Sequence, residues 1–364
     1  MLQAETLLLT SDLCFIVRVF QTLKISDDAE VGGARRAVLR YAGALGFTET
    51  ELAELEIVAQ ELGTNAVRYA TGGGCLHWTS PPGDESGIEL CYWDKGPGIH
   101  DLDRAVRDGV STSGSLGGGL GAIQRLTDEF DVYSTLSGTT SRLTRSRRTT
   151  HGTIILARKW VAASGLRHRR PAALAERVGL WSRPRPGEDA NGDAYFITRH
   201  AGSTLLAVVD GLGHGRGAQA ASRAALDSLE GWRGEPLDDV FYAAHDALRA
   251  TRGGVMGACV VDHHGETFHY AGVGNVEVRV FDAPQPIRPV SVNGTLGARL
   301  SGVRVWSHPW AEGATIVMAT DGISATWDIA SYPGLLRKSP QLLAGVLLRD
   351  YGRTSDDATV LVAR

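Results

Sequence analysis

The chain has 364 residues, more than a single hydrophobic core usually organises, so two domains of ordinary size are expected. An apolar share of 43% and a charged share of 21% are those of a globular protein, and a formal net charge of −4 gives no basis for nucleic acid or an anionic membrane as the main partner. No apolar run approaches the roughly 20 residues of a membrane span, since Cys14 to Val19 is broken by Arg18. The four cysteines (Cys14, Cys75, Cys91, Cys259) are scattered without CxxC spacing, which fits a reducing compartment. A soluble, cytoplasmic protein is expected.

In chain order, residues 34–46 carry apolar groups at helical spacing and close on Gly46. Residues 50–70 form a stronger helix, with Leu52, Leu55, Val58, Leu62 and Ala66 on one stripe. Strand-like segments near 74–79 and 87–93 follow, then a glycine-rich passage, a helix over 119–130 and a strand from Thr153 to Ala157. The polar, basic stretch Ser141–Thr150 reads as a solvated loop. Composition shifts over 161–176, where a basic cluster precedes Pro171, so the expected division is a first domain over 1–160, a linker over 161–176 and a second domain over 177–364. The second domain alternates strands near 205–209, 257–261, 267–271, 276–281, 315–319 and 359–363 with helices at 217–231, 237–251 and 340–350. Sheets covered by helices, in an α/β or α+β arrangement, are the expected architecture.

Three polar groups stand out in the first half. Glu61 and Asn65 are four residues apart, one above the other on the long helix, where a carboxylate can activate a hydroxyl and a carboxamide can hold Mg²⁺. Asp94 ends a strand and runs into Lys-Gly-Pro-Gly98, a turn that also lets a ligand come close. Gly114-Ser-Leu-Gly-Gly-Gly-Leu-Gly121 opens the next helix and offers unhindered N–H groups to phosphate. Each is ambiguous alone, as a surface pair, a tight turn or a flexible linker.

Their order is specific. The words IVAQELGTNAVRYA, DKGPGI, DGVSTSGSLGGGLGAIQRLTDEF and GTIILARKW closely resemble the GHKL ATPases, and within them the anti-sigma-factor serine kinases, over about residues 10–160. The resemblance implies a Bergerat-type ATP-binding α/β sandwich. In it Asn65 coordinates Mg²⁺ and Glu61 is the base for an accepting serine or threonine. Asp94 bonds the adenine amino group, Gly96 and Gly98 shape the pocket, Gly117, Gly119 and Gly121 belong to the lid over the phosphates, and Thr153 lies near the adenine. Gly63-Thr64 departs from the bulkier pair common in that motif, and a mid-helix glycine costs about 1 kcal/mol against alanine.

In the second half, aspartates recur at strand ends: Asp193 before Ala-Tyr-Phe-Ile, Asp210 after Leu-Leu-Ala-Val-Val, Asp321 after Thr-Ile-Val-Met-Ala-Thr, and Asp356-Asp357 before the last strand. Carboxylates gathered at one edge of a sheet suit Mg²⁺ or Mn²⁺, and two such ions can support in-line attack on a phosphoester. A rival reading takes Gly213-His-Gly-Arg-Gly-Ala218 as a dinucleotide-binding turn, although Asp210 would then sit among the phosphates. The words GDAYF, VVDGLGHG, YAGVGN, GTLGAR, ATDGIS and DDATVLVAR instead resemble, in order over about 180–364, the SpoIIE branch of the PPM phosphatases. That resemblance implies an α-β-β-α sandwich holding two Mn²⁺ or Mg²⁺ ions on Asp193, Asp210, Asp321, Asp356 and the Gly211 carbonyl, with His214 shaping its loop. Together the two resemblances imply a bifunctional partner-switching regulator. ATP and Mg²⁺ would serve the first domain, and the partners would be STAS-domain anti-sigma-antagonist or stressosome-like proteins, with a homodimer left open. The alternative is a phosphatase whose first domain senses ATP or docks a partner.

Overall fold

The computed structural model describes residues 20–82, 86–107, 119–136, 151–162 and 177–364. Cys14, Gly117, the basic stretch Ser141–Thr150 and nearly all of the expected linker lie outside the described residues. The chain divides into two compact units. Of the described residues, one comprises those up to Gly179 together with Trp327–Asp350, and the other Leu180–Thr326 with Tyr351–Arg364.

The first unit is a five-stranded antiparallel sheet covered by helices. Strand β1 (Gln21–Ile25) leads into α1 (Asp28–Leu45) and α2 (Glu49–Tyr69), followed by β2 (Gly74–Thr79), β3 (Gly87–Asp94), α3 (Leu102–Arg107), α4 (Gly119–Leu126), β4 (Glu129–Thr135) and β5 (Gly152–Trp160). The sheet order is β1-β2-β3-β5-β4. Helix α2 starts where Thr48 and Glu51 cap each other: the Glu51 N–H donates to Thr48 Oγ1 at 3.3 Å and the Thr48 N–H to Glu51 Oε2 at 2.8 Å. Its stripe of Leu55, Val58, Leu62 and Ala66 is wholly buried against the sheet. The expected helix over 119–130 stops at Leu126. Asp128 accepts the Trp160 N–H at 2.8 Å and donates its own N–H to the Arg158 carbonyl, so pairing with β5 replaces the last helical turn.

Under this sheet Arg158 is almost fully buried and ion-paired to Glu89 at 2.7 Å and to Glu129 at 2.8 Å. Removing one partner of a buried pair leaves a charge uncompensated. Glu89→Ala is therefore expected to cost about 3–5 kcal/mol, read as a lower urea midpoint at unchanged m-value.

Residues Trp327–Asp350 complete this unit from far along the chain. The Asp131 carboxylate accepts from Lys338 Nζ at 3.1 Å and from the Ser339 N–H at 2.8 Å, and the Tyr133 hydroxyl donates to the Pro333 carbonyl at 3.3 Å.

The second unit has two antiparallel sheets. Its elements run β6 (Val178–Arg183), β7 (Asp193–His200), β8 (Ser203–Gly211), α5 (Arg216–Leu229), α6 (Leu237–Leu248), β9 (Gly254–Asp262), β10 (Thr267–Val273), β11 (Glu277–Phe281), β12 (Trp306–Pro309), β13 (Thr315–Ala319) and β14 (Ala358–Ala363); helix α7 (Pro340–Tyr351), before the last strand in the chain, falls almost wholly in the first unit. One sheet has the order β12-β10-β9-β8-β7 and the other β11-β13-β14-β6. Cys259 Sγ and Met318 Sδ, one from each sheet, are 3.6 Å apart and buried, so the two inner faces form one core. Helices α5 and α6 pack apolar faces, including Ala221, Ala225, Phe241 and Ala244, on the five-stranded sheet. The two-domain α/β architecture expected from the sequence is present. The dinucleotide reading is not supported: β8 is antiparallel to both β7 and β9, so the glycines after it do not open a parallel β-α-β crossover.

Candidate functional sites

The end of β3, one face of α2 and the start of β5 enclose a pocket of about 440 Å³ in the first unit. The helical spacing of α2 turns Glu61, Thr64, Asn65 and Arg68 toward it, and Asp94, Gly98, Gly119 and Thr153 also line it. Apolar walls come from Tyr92, Ile99, Leu120 and Ile155. Of the residues expected at this site, Gly96 donates its N–H to Asp94, and Gly121 is buried within α4 two residues after Gly119.

Asp94 is buried and firmly held. Its Oδ1 accepts the Gly96 N–H at 2.7 Å and the Thr153 N–H at 3.2 Å, and its Oδ2 accepts the Tyr92 hydroxyl at 2.9 Å. A carboxylate offers about four acceptor positions, so these three bonds fix its direction and leave room for one ligand N–H. An amino-bearing planar ring between apolar walls fits that arrangement, which makes the pocket suitable for adenine. Gly98 has φ +82°, and a Cβ there would lie 2.2 Å from the Thr135 carbonyl oxygen, so both conformation and space require glycine. The unexpected Gly63 also has a packing reason: a Cβ would meet Val31 Cγ1 at 2.8 Å, so its absence lets α1 approach α2. Burial raises the Glu61 carboxyl above the ordinary range, with Arg68 pulling it partly back. The sequence reading missed Tyr92 and Arg68. Their signals were strand parity, since Tyr92 is two residues before Asp94, and helical spacing, since Arg68 is three residues after Asn65.

In the second unit, antiparallel pairing sets the start of one strand beside the end of its neighbour. Asp193, first in β7, is the cross-strand partner of Asp210 near the end of β8. Asp321 follows β13 by two residues, and Asp356 precedes β14 by two, in strands that are themselves paired. The Gly211 N–H donates to the Gly192 carbonyl at 3.1 Å and holds the end of β8 to the loop before β7. Asp321 Oδ2 accepts from Asn275 Nδ2 at 3.0 Å. Asp357 is occupied otherwise: its two oxygens accept the Arg185 N–H at 2.7 Å and the Gly192 N–H at 2.9 Å, which ties down the loop before β7. The His214 ring bridges Glu188, 2.8 Å from Nδ1, and Arg185, 2.6 Å from Nε2. Because the guanidinium can only donate, Nε2 accepts and Nδ1–H faces the carboxylate.

Burial first, then the charges of Asp321, Asp356 and Asp357, push the Asp210 carboxyl up to about 7. Asp193 is also raised, first by burial and then by Asp210. Mutual repulsion among hard oxygen donors is the electrostatic condition that a divalent cation relieves, so the donor chemistry fits Mg²⁺ or Mn²⁺. Among the described residues, no three acidic, cysteine or histidine side chains stand close enough to hold an ion as they are. The carboxylates share a field without forming a finished coordination shell.

The sign of the stability effect follows. In metal-free protein a raised carboxyl keeps its proton when folded, so its stabilising contribution is full below the unfolded value near 3.8 and is lost as pH rises toward about 7. Mn²⁺ competes with those protons. The rise in melting temperature on adding Mn²⁺ is thus expected to be larger at pH 7.5 than at pH 5, as measured by differential scanning fluorimetry.

Among the described residues, no helix is long and apolar enough to cross a membrane. Residues 25–145 match the family of the histidine kinase-like ATPase domain, and residues 200–364 match the family of stage II sporulation protein E (SpoIIE). The serine/threonine-protein kinase RsbT of Bacillus subtilis (strain 168) is 33% identical over 112 residues, spanning 31% of this chain and 84% of that protein. The phosphoserine phosphatase RsbX of the same strain is 25% identical over 148 residues, 40% of this chain and 73% of that protein. An anti-sigma F factor of Bacillus cereus (strain G9842) is 32% identical over 118 residues, 31% of this chain and 81% of that protein.

Proposed function

We propose that this chain, which belongs to the histidine kinase-like ATPase family and joins that domain to a SpoIIE-type phosphatase domain, switches the phosphorylation of one partner protein in both directions. The observation that carries this reading is the presence in one chain of two polar centres: the pocket around Glu61, Asn65 and Asp94, and the strand-end aspartates Asp193 and Asp210. The likeness to RsbT and RsbX favours a serine or threonine substrate, and the likeness to anti-sigma F factors favours a STAS-domain protein as its bearer.

In the forward direction, Asp94 and the apolar walls would orient the adenine of ATP, Asn65 would hold Mg²⁺, and Glu61 would take the proton of the accepting hydroxyl as its oxygen attacks the γ-phosphorus, the bond to the bridging oxygen breaks and ADP leaves. Gly96 and Gly98 shape the floor, Gly119 and Gly121 lie on the phosphate side, and Thr153 backs Asp94. In the reverse direction, Asp193, Asp210, Asp321, Asp356 and the Gly211 carbonyl are the ligand set. Mg²⁺ or Mn²⁺, when bound there, supplies Lewis acidity to the phosphoryl group and a nucleophile at neutral pH. The side chains aim the donors, and His214 braces the loop between Arg185 and Glu188.

The test is incubation of the full chain with ATP, Mg²⁺, Mn²⁺ and a STAS-domain protein, comparing wild type with Asp210→Asn. Phosphate accumulating on the STAS protein only with the variant supports both activities. No phosphate with either protein sinks the kinase half and leaves a phosphatase whose first domain senses ATP or docks a partner.

A further inference from the structure

The phosphatase-like unit holds a buried polar chain that the sequence motifs do not explain. Thr320 and Thr359 are 1% and 0% exposed. Thr320 Oγ1 donates to Asp193 Oδ2 at 2.7 Å and accepts the Thr359 N–H at 3.0 Å, while the Thr320 N–H donates to the Thr359 carbonyl at 3.1 Å. The Thr359 hydroxyl lies 2.7 Å from Ser182 Oγ. Ser182 Oγ accepts from Asn191 Nδ2 at 2.8 Å, and Asn191 Oδ1 accepts the Asp193 N–H at 3.0 Å. The path starts on the backbone of Asp193 and returns to its carboxylate.

A hydroxyl has one proton to give. Thr320 gives its proton to the carboxylate, so it can only accept the Thr359 N–H. Ser182 accepts from Asn191, and the Ser182–Thr359 hydroxyl pair joins the two halves of the path. Thr320, which touches the carboxylate, is β-branched, with a stiff χ1 angle. Four separate segments contribute: β6, the loop before β7, the residue after β13, and β14. A set of ties that only held the sheet edges together would not need a buried hydroxyl proton to end on the Asp193 carboxylate.

We infer that Thr320, Thr359, Ser182 and Asn191 are positioning residues that hold the Asp193 carboxylate in a single orientation for a divalent cation. The inference rests on the phosphatase reading of Asp193. Partners of this kind fix ligand direction, and losing one typically weakens metal binding about 10–100-fold.

The experiment is calorimetric titration of Mn²⁺ into the chelator-treated full chain, with melting temperatures recorded for every variant. Thr320→Val, which keeps the shape and deletes the hydroxyl, is expected to weaken Mn²⁺ binding about 10–100-fold. Thr320→Ser restores the donor and is expected to recover most of that loss, which a purely steric role of the threonine would not produce. Asn191→Ala, at the far end of the path, is expected to weaken binding to a smaller extent. Asp210→Asn is the control for the site itself. A folded Thr320→Val with wild-type affinity, beside a weakened Asp210→Asn, overturns the network and leaves the site standing. If Asp210→Asn binds Mn²⁺ as wild type does, the phosphatase-site reading falls and takes the inference with it. If Thr320→Val fails to fold, Asn191→Ala decides, and unchanged affinity there overturns the proposal.

Discussion

Asp210→Asn is expected to lower the Mn²⁺-dependent hydrolysis of p-nitrophenyl phosphate by about 10²–10³-fold, with little change in melting temperature for the metal-free protein. The size follows from what an ion supplies: several kcal/mol of charge stabilisation at the transferring phosphoryl group, at 1.36 kcal/mol per tenfold in rate. Stability should be nearly spared because Asp210 is the strained member of its group. Burial and three neighbouring carboxylates already oppose its ionised form, so a neutral amide of the same shape removes repulsion as well as a ligand. A variant that hydrolyses the substrate at the wild-type rate would remove Asp210 from the ligand set.

Glu61→Gln is expected to lower phosphate transfer from ATP by about 10²–10⁴-fold while nucleotide binding persists, because in the proposed reading Asp94 and the apolar walls, not Glu61, would contact the base. The pH profile separates a base from a mere lining residue. Burial holds the Glu61 carboxyl above the ordinary carboxylate range, and the base works only when deprotonated. The wild-type rate should therefore fall as pH drops through that raised value, at a higher pH than an exposed glutamate would give, and the glutamine variant should lack this limb. Rates measured from single turnovers, with ATP binding followed by fluorescence, check both statements. Equal rates for the two proteins would leave the pocket as a binding site alone.

Much of this was legible because periodicity and chemistry agreed. The α2 stripe, the strand at 74–79 and the strand at 315–319 could be read directly, since each has one clear apolar pattern bounded by turn residues. Glu61, Asn65, Asp94, Gly98 and Thr153 come together as their order suggested. Strand β4 was hidden because Glu129 and Phe130 continue the stripe of α4, and only pairing with β5 breaks it. The role of Asp357 was hidden for another reason. The resemblance picks Asp356 over its neighbour as a ligand but gives Asp357 no task, because its partners are the backbone N–H groups of Arg185 and Gly192, far off in the chain. The ties of Asp131 to Lys338 and Ser339 span more than two hundred residues and leave no local pattern at all.

Those distant ties set a schedule for synthesis. The unit that opens the chain is not complete until Trp327–Asp350 has been made, so β4 emerges with the partners of Asp131 and Tyr133 still missing. At roughly 5–20 residues per second, the interval between Gly179 and Asp350 is on the order of 10–30 s. During that time the nascent ATP-binding fold has an unfinished flank while the strands of the following unit are already appearing. The first unit is thus completed only just before the second, which still awaits Tyr351–Arg364, so both sites become competent near the end of synthesis.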